Sequence, residues 1–272
     1  MIKKIGLLFS PIIRMVAQIE KRRRFVIASL FLSILLLFSS FVSFTQLKYI
    51  IPLIVVLTYG VVFFAILERI NGIEWYMLFV HLVYFTIFYT LFYFLLPIRW
   101  LTRIPFVGLY GIVIYALLLS SNIFNVGAVK SVQLFRVAFS INFFLISITA
   151  FYIFSIILSL KLHFFLDFIL FGILIFPITI QFLWSINPST VFNKELLKYS
   201  LLIILFIAEA GLIFSFMPIR SIIFALFLTA LFYSMLGLFH AYIDGRLFKD
   251  RVREFLFVLF FVFIITMLSV KW

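Results

Sequence analysis

The chain has 272 residues, of which 67% are hydrophobic and 11% are charged. Soluble domains average about 45–50% apolar and about 25% charged residues, so this composition excludes a soluble enzyme, a disordered protein and a nucleic-acid-binding domain. The sequence contains no cysteine, which excludes a disulfide framework and a thiolate nucleophile or metal site. The class that remains is an integral membrane protein with the lipid bilayer as its main partner.

The first 24 residues are basic and precede any long apolar run. Ser10 followed by Pro11 resembles a helix N-cap with proline at the first helical position. Beyond them, apolar and basic residues separate onto two faces of a helix, with Ile12 and Arg14 as examples. We expect either an amphipathic interfacial helix or an ordinary basic flank of the first span.

Nine apolar stretches follow, and each is close to the length of about 20 residues that a helix needs to cross a bilayer. They predict transmembrane helices at residues 25–47, 49–67, 75–98, 104–125, 137–160, 163–185, 199–219, 221–243 and 255–270. A β-barrel would need shorter segments with a polar lumen face, which these stretches lack. The predicted fold is an all-α polytopic membrane bundle, with residues 25–272 as one transmembrane domain. The last span is the shortest.

The distribution of positive charge predicts the orientation of these spans. With the N-terminus inside, 16 of the 22 Lys and Arg residues fall in inner segments and 6 in outer segments. This bias follows the positive-inside rule, and it predicts a cytoplasmic N-terminus and an external C-terminus in a bacterial cytoplasmic membrane. The four tryptophans lie at or near predicted helix ends, as expected for interfacial residues. They are Trp75, Trp100, Trp184 and Trp272.

Small and polar residues recur at helical spacing along several spans, which predicts close helix–helix packing in lipid. The third span carries Thr86, Tyr89, Thr90 and Tyr93. The fourth span carries Gly108, Gly111, Tyr115 and Asn122. The eighth span carries Ser221, Ala225, Thr229, Tyr233 and Gly237. In the seventh span, Ala208, Gly211 and Ser215 are small enough to admit a neighbouring helix. Pro177 and Gly172 in the sixth span suggest a helix break there.

Glu209 stands out because it lies at the middle of the seventh predicted span. An ionisable side chain at this depth costs on the order of 2.5–3.5 kcal/mol, so such groups usually face a bundle interior or a cavity. One interpretation is a proton, cation or ligand-binding site. The other is a protonated carboxyl group that bonds across a helix interface.

Further candidate binding residues lie among the polar side chains of the cytoplasmic half. His81, Asn122, Asn142 and Gln181 fall at similar predicted depths, which suggests a polar cavity open to the cytoplasm. His163 and Asp167 are four residues apart near the outer side, which suggests either a paired site on one helical face or an interfacial ion cluster in contact with water. Two such groups are too few for a metal site, and no catalytic motif or cofactor fingerprint is present.

Three functions fit this pattern. The first is a transporter or permease for a hydrophobic or lipid-like substrate. The second is a non-catalytic membrane subunit or assembly factor, with the mixed-charge cytoplasmic loop at residues 242–254 as a docking site for a protein partner. The third is a membrane enzyme that acts on a lipid-linked substrate, although its acid–base candidates are few and scattered in depth.

Overall fold

The computed structural model describes residues 19–42, 44–66, 70, 72–96, 100–126, 132–191 and 193–270. Within these ranges the regular structure is entirely helical. The nine α-helices are α1 (Lys21–Ser39), α2 (Leu47–Ile66), α3 (Glu74–Tyr93), α4 (Trp100–Val126), α5 (Val132–Ser159), α6 (Phe164–Ile186), α7 (Lys194–Phe214), α8 (Ser221–Ile243) and α9 (Lys249–Leu268). The predicted all-helical membrane fold is confirmed. The predicted interfacial helix at the N-terminus lies largely outside the described residues.

Seven of these helices, α2 to α8, are long and apolar enough to cross a membrane. The other two, α1 and α9, begin with charged turns, from Lys21 to Arg24 and from Lys249 to Glu254. The apolar part of α9, from Phe255 to Leu268, is about 21 Å long at about 1.5 Å per residue. It is shorter than the hydrocarbon core of about 30 Å, in keeping with the short last span expected from the sequence.

Several helix ends differ from the predicted spans because side chains cap them. Helix α1 ends at Ser39, well before the predicted residue 47, where the Ser39 and Ser40 hydroxyls donate to the Leu36 and Leu37 carbonyls, both at 2.7 Å. Helix α7 begins five residues earlier than predicted. The Asn193 side chain accepts a hydrogen bond from the Glu195 backbone N–H at 2.9 Å and caps it.

Pro177 does not break α6, which runs without interruption from Phe164 to Ile186. The suggested helix break there is wrong. A proline in a membrane helix is tolerated when neighbouring groups satisfy the carbonyl that it frees. Within the same stretch, Thr179 is fully buried, and its hydroxyl donates to the Ile175 carbonyl at 2.8 Å.

The chain divides into two compact units, residues 1–141 and 142–272, and the division falls inside α5. In the first unit, α1 packs on α2 and α4, and α3 packs on α2 and α4. Gly111 allows the close approach of α1 and α4, because a Cβ atom there would lie 2.6 Å from Ser33 Oγ. The small-residue packing predicted for the fourth span is confirmed at this position.

A ladder of polar contacts joins α3 to α4, as the stripe on the third predicted span suggested. Tyr110 OH lies 2.9 Å from Thr86 Oγ1, and Tyr89 OH donates to the Phe106 carbonyl at 2.7 Å. Arg103 Nε donates to Tyr93 OH at 2.7 Å. Hydrogen bonds between membrane helices contribute to association where lipid offers no alternative partner.

Replacing Tyr110 by Phe should lower the free energy of unfolding by about 0.6–1.5 kcal/mol. The Thr86 hydroxyl already donates to the Leu82 carbonyl at 2.8 Å, so Tyr110 is the donor in the bond that the substitution removes. The measurement is SDS-induced unfolding in mixed micelles, followed by far-UV circular dichroism. Tyr115→Phe, a half-buried tyrosine on the same helix, is the control. Equal stability of the two variants would contradict the assignment.

In the second unit, α6 and α7 share the most extensive contact, and α8 packs on α6, α7 and α9. Phe143 and Phe154 of α5 place their rings against α6 and α8, with Phe143 stacked on Tyr233 at 4.7 Å between centroids. Ala208 and Gly211 are buried on the inner side of α7. The close packing predicted for these two residues is confirmed.

The tryptophans that the structure describes lie at helix ends, as predicted, and each anchors a neighbouring loop. Trp75 Nε1 donates to the Ile70 carbonyl at 3.1 Å, and Trp184 Nε1 donates to the Ser189 carbonyl at 2.9 Å. Trp184 is only 1% exposed, so it is a core residue and not a membrane-surface anchor. Trp272 lies outside the described residues, and so does the side chain of Trp100.

Candidate functional site

Glu209 lies on the side of α7 that faces away from the other helices of the second unit, and its side chain is exposed. The buried residues of α7, including Ile207, Ala208 and Gly211, lie on the other side of the helix. The expectation that Glu209 faces the interior does not hold in this unit. Because α7 ends at Phe214, Glu209 also lies about 7.5 Å from the end of the helix and not at its middle.

Helices α7, α8 and α9 enclose a groove beside this glutamate. The groove has a volume of about 670 Å³. It is lined by Phe206, Ala210, Phe214, Phe227, Leu231, Leu256, Phe257, Leu259, Phe260 and Phe263, all of them apolar. We call it the α7–α9 groove. Ligand pockets commonly have volumes of about 300–1,000 Å³, so this groove is large enough for a small hydrophobic molecule or an acyl chain.

The walls of the groove are positioned by aromatic packing and one close helix approach. The Phe214 ring lies 4.5 Å from Phe227 and 6.2 Å from Phe263, which brings the three helices together at one end. On α8, Gly237 packs against the Phe255 ring of α9, which leaves no room for an added Cβ atom. This close approach sets the spacing between α8 and α9 along the groove.

Glu209 is adjacent to groove-lining residues, both along the sequence and on the surface of α7. It directly precedes Ala210, and it lies roughly 60° around the helix axis from Phe206. A carboxyl group beside an apolar groove can interact with the polar end of an amphipathic molecule whose hydrophobic part occupies the groove. The groove residues alone could bind only a hydrophobic group.

Asn142 and Gln181 lie inside the second unit, but neither residue lines the α7–α9 groove. Asn142 Nδ2 donates to Ser185 Oγ at 3.1 Å, and both residues are buried. Gln181 lies one turn before Ser185 on α6, and its Oε1 atom is buried with no hydrogen-bond partner among the described residues. The hydrogen bond between Asn142 and Ser185 joins α5 to α6, and Gln181 takes no part in it.

His81 and Asn122 belong to the first unit, on the neighbouring helices α3 and α4. His81 is 2% exposed, and the Asn122 Oδ1 atom is buried. Nearby, Ser121 Oγ donates to the Leu78 carbonyl at 3.2 Å, which brings this part of α4 against α3. The five candidate binding residues are therefore distributed over two units: His81 and Asn122 in one, and Asn142, Gln181 and Glu209 in the other.

His163 and Asp167 share the start of α6, but their side chains have different roles. His163 Nδ1 caps the helix by accepting from the Phe165 backbone N–H at 3.5 Å. Asp167 is 7% exposed, and its Oδ1 atom has no hydrogen-bond partner among the described residues. No cluster of three or more His, Cys, Asp or Glu side chains suited to a metal ion occurs within the described ranges.

The predicted cytoplasmic loop at residues 242–254 is mostly helical. Helix α8 extends to Ile243 and α9 begins at Lys249, so that only a short connection remains, with Gly245 at a φ of +65°. The charged residues at the start of α9 form exposed pairs along the helix. Arg251 contacts Glu254 at 3.2 Å, and Arg253 contacts Asp250 at 3.9 Å.

Reasoning from the sequence missed the α7–α9 groove because its walls come from three helices. One signal was present: Ala210 is a small residue between Phe206 and Phe214, at a spacing that places all three on one face of a helix. The aromatic residues of α9 provide the opposite wall. Their positions could not be related to α7 without the tertiary structure.

Comparison with known proteins assigns the second half of the chain to a protein family. No curated protein and no solved structure matches the chain. The model of one protein family matches residues 132–269, just over half of the chain. The matched region contains α5 to α9 and therefore includes both Glu209 and the α7–α9 groove. The chain belongs to this family, which is described as "Protein of unknown function (DUF5656)".

Proposed function

We propose that the protein is a transporter or permease for a hydrophobic or lipid-like molecule, which it binds in the α7–α9 groove. The observation that carries this proposal is the groove itself, with a volume of about 670 Å³ and ten apolar lining residues. A groove between membrane helices can admit a ligand directly from the bilayer. Glu209 beside it provides a polar contact for the ligand headgroup, about 7.5 Å from the end of α7.

The location proposed for this activity is the bacterial cytoplasmic membrane, with the N-terminus in the cytoplasm. The excess of Lys and Arg in the predicted inner segments supports this orientation. The seven helices that are long enough to span a membrane make the protein an integral membrane protein. In this orientation Glu209 lies in the outer half of α7.

A flux assay in reconstituted vesicles tests the proposal. An NBD-labelled phospholipid serves as the probe, and dithionite quenching reports its movement between leaflets. Ala210→Trp fills the groove and should lower the flux about tenfold or more, whereas Ile213→Trp, an exposed position on α7 outside the groove lining, should not. Glu209→Gln should also lower the flux. Unchanged flux in Ala210→Trp, or no flux above empty vesicles in the wild type, would overturn the proposal.

A second candidate function, a non-catalytic membrane subunit, is favoured by the exposure of α9. This helix packs on α8, and Thr266 is its only buried residue. Phe261 is 56% exposed and Leu268 is 82% exposed on a side of the helix that does not line the groove. Such a surface suits either lipid or the helix of a protein partner.

Native mass spectrometry after extraction in a mild detergent distinguishes the two candidates. A subunit should retain a partner at fixed stoichiometry and lose it in the double variant Phe261→Ala, Leu268→Ala. The flux of the labelled phospholipid should be unaffected by that double variant. A protein that stays free of partners under these conditions would argue against the subunit function.

A further inference from the structure

Arg24 is a buried arginine at the start of α1, in the first unit. The residue is 9% exposed, and its Nε and Nη1 atoms are buried with no hydrogen-bond partner among the described residues. A guanidinium group that is partly removed from water without a counter-charge is unfavourable. An anion bound at this position would remove that penalty.

The described charges around Arg24 do not neutralise it. Lys21, Arg22 and Arg23 precede it in the chain, and they increase the local positive charge. The nearest acidic residue in the sequence, Glu20, contacts Arg23 Nε at 3.5 Å on the exposed surface. Residues 1–18 contain three basic residues and no acidic one, so their composition offers no counter-charge.

An apolar groove between α1 and α2 has Arg24 in its lining. It has a volume of about 230 Å³. Besides Arg24, its walls include Ile27, Ala28 and Phe31 of α1 and Val61, Phe64 and Ala65 of α2. Arg24 is therefore the charged group of a pocket whose other walls are almost entirely apolar. The volume is smaller than that of most drug-sized pockets and suits a single chain of methylene groups.

We propose that this groove binds an anionic phospholipid, with the phosphate on Arg24 and one acyl chain between α1 and α2. A free phosphate ion would satisfy the guanidinium group but would leave the apolar groove unfilled. Arginine pairs well with phosphate because its planar N–H groups can donate to two oxygens at once. In the predicted orientation this end of α1 lies at the inner leaflet, where basic residues attract anionic headgroups.

This lipid is a resident ligand of the first unit, so the inference goes beyond the transport function proposed for the α7–α9 groove. The two proposals stand on different residues. Failure of one leaves the other intact, because flux reports on Ala210 and Glu209, and lipid retention reports on Arg24.

The test is competitive lipid binding to the full-length protein, measured by native mass spectrometry. Equal amounts of phosphatidylglycerol and phosphatidylcholine are added to delipidated protein in detergent. The wild type should retain phosphatidylglycerol preferentially, and Arg24→Gln should lower that retention about tenfold or more. Arg23→Gln is the matched control, since its side chain is 76% exposed, and it should change retention less than twofold. Glu68→Gln, at an acidic position outside the described residues, should likewise leave retention unchanged.

A second measurement covers the case in which Arg24→Gln does not fold. Phosphatidylglycerol should raise the thermal midpoint of the wild type, whereas phosphatidylcholine and inorganic phosphate should not. The proposal would be overturned if the wild type retained the two lipids equally. It would also be overturned if Arg23→Gln and Arg24→Gln retained phosphatidylglycerol equally. A midpoint raised equally by inorganic phosphate would show a simple anion site and would also overturn it. Failure of the wild type to retain phosphatidylglycerol would also overturn it.

Discussion

Replacement of Trp184 by Ala should destabilise the second unit by about 3–5 kcal/mol. Trp184 is among the largest fully buried side chains, at 1% exposure near the end of α6. Its removal leaves a cavity that the surrounding helices can fill only in part, and the lining atoms lose their van der Waals contacts. The Ser189 carbonyl also loses the hydrogen bond that the indole N–H donates at 2.9 Å.

Two further variants separate these contributions. Trp184→Phe keeps most of the ring volume and should cost about 1–2 kcal/mol, largely from the lost hydrogen bond. Trp75→Ala is the comparison in the first unit, because Trp75 makes the same kind of bond to a loop carbonyl but is only half-buried. Its loss should be smaller than that of Trp184→Ala. Unfolding in SDS mixed micelles measures all three, and a cost below about 1 kcal/mol for Trp184→Ala would contradict its role in the core.

Replacement of Gly211 by Ala should cost about 1–3 kcal/mol through overpacking between α6 and α7. A Cβ atom at Gly211 would lie 2.7 Å from the Phe171 ring. Phe171 is 1% exposed and also contacts the Phe154 ring at 5.5 Å between centroids, so it has little room to move. Part of the loss is offset by the higher helix propensity of alanine, about 0.8–1.0 kcal/mol.

Gly172 provides the matched control on the opposite helix. A Cβ atom there would lie 3.9 Å from Ile204 Cγ2, an ordinary contact, so Gly172→Ala should leave stability unchanged or slightly raised. Combining Gly211→Ala with Phe171→Leu should recover part of the loss, because the smaller side chain makes room for the methyl group. A double-mutant cycle measures this coupling. If Gly211→Ala behaves like Gly172→Ala, the close approach of α6 and α7 is wrong.

The placement of Glu209 shows where reasoning from the sequence stopped. Its depth could be estimated by counting residues between the charged ends of the span. Counting moved it to the middle because the span was taken to run from residue 199 to 219, whereas α7 ends at Phe214. Its direction depends on which face of α7 contacts α6 and α8. That contact lies on the face of Ala208 and Gly211, so Glu209 points away from it.

The polar candidates were grouped by predicted depth alone. His81, Asn122, Asn142 and Gln181 occur at similar predicted depths, and depth alone suggested a shared cavity. The structure distributes them over two units, and the Asn142 side chain already bonds to Ser185 on α6. The boundary between the units lies inside α5 and has no linker of its own, so composition could not reveal it.

The sequence by itself determined the class of protein, the helical fold and the approximate position of each helix. Lipid cannot satisfy backbone polar groups, so long apolar stretches have to become helices whatever surrounds them. The tertiary structure alone decided which residues line the α7–α9 groove, which way Glu209 faces and that Arg24 is buried beside an apolar groove. These features depend on how each helix is rotated about its own axis. The sequence of a membrane helix that is apolar on every side gives little information about that rotation.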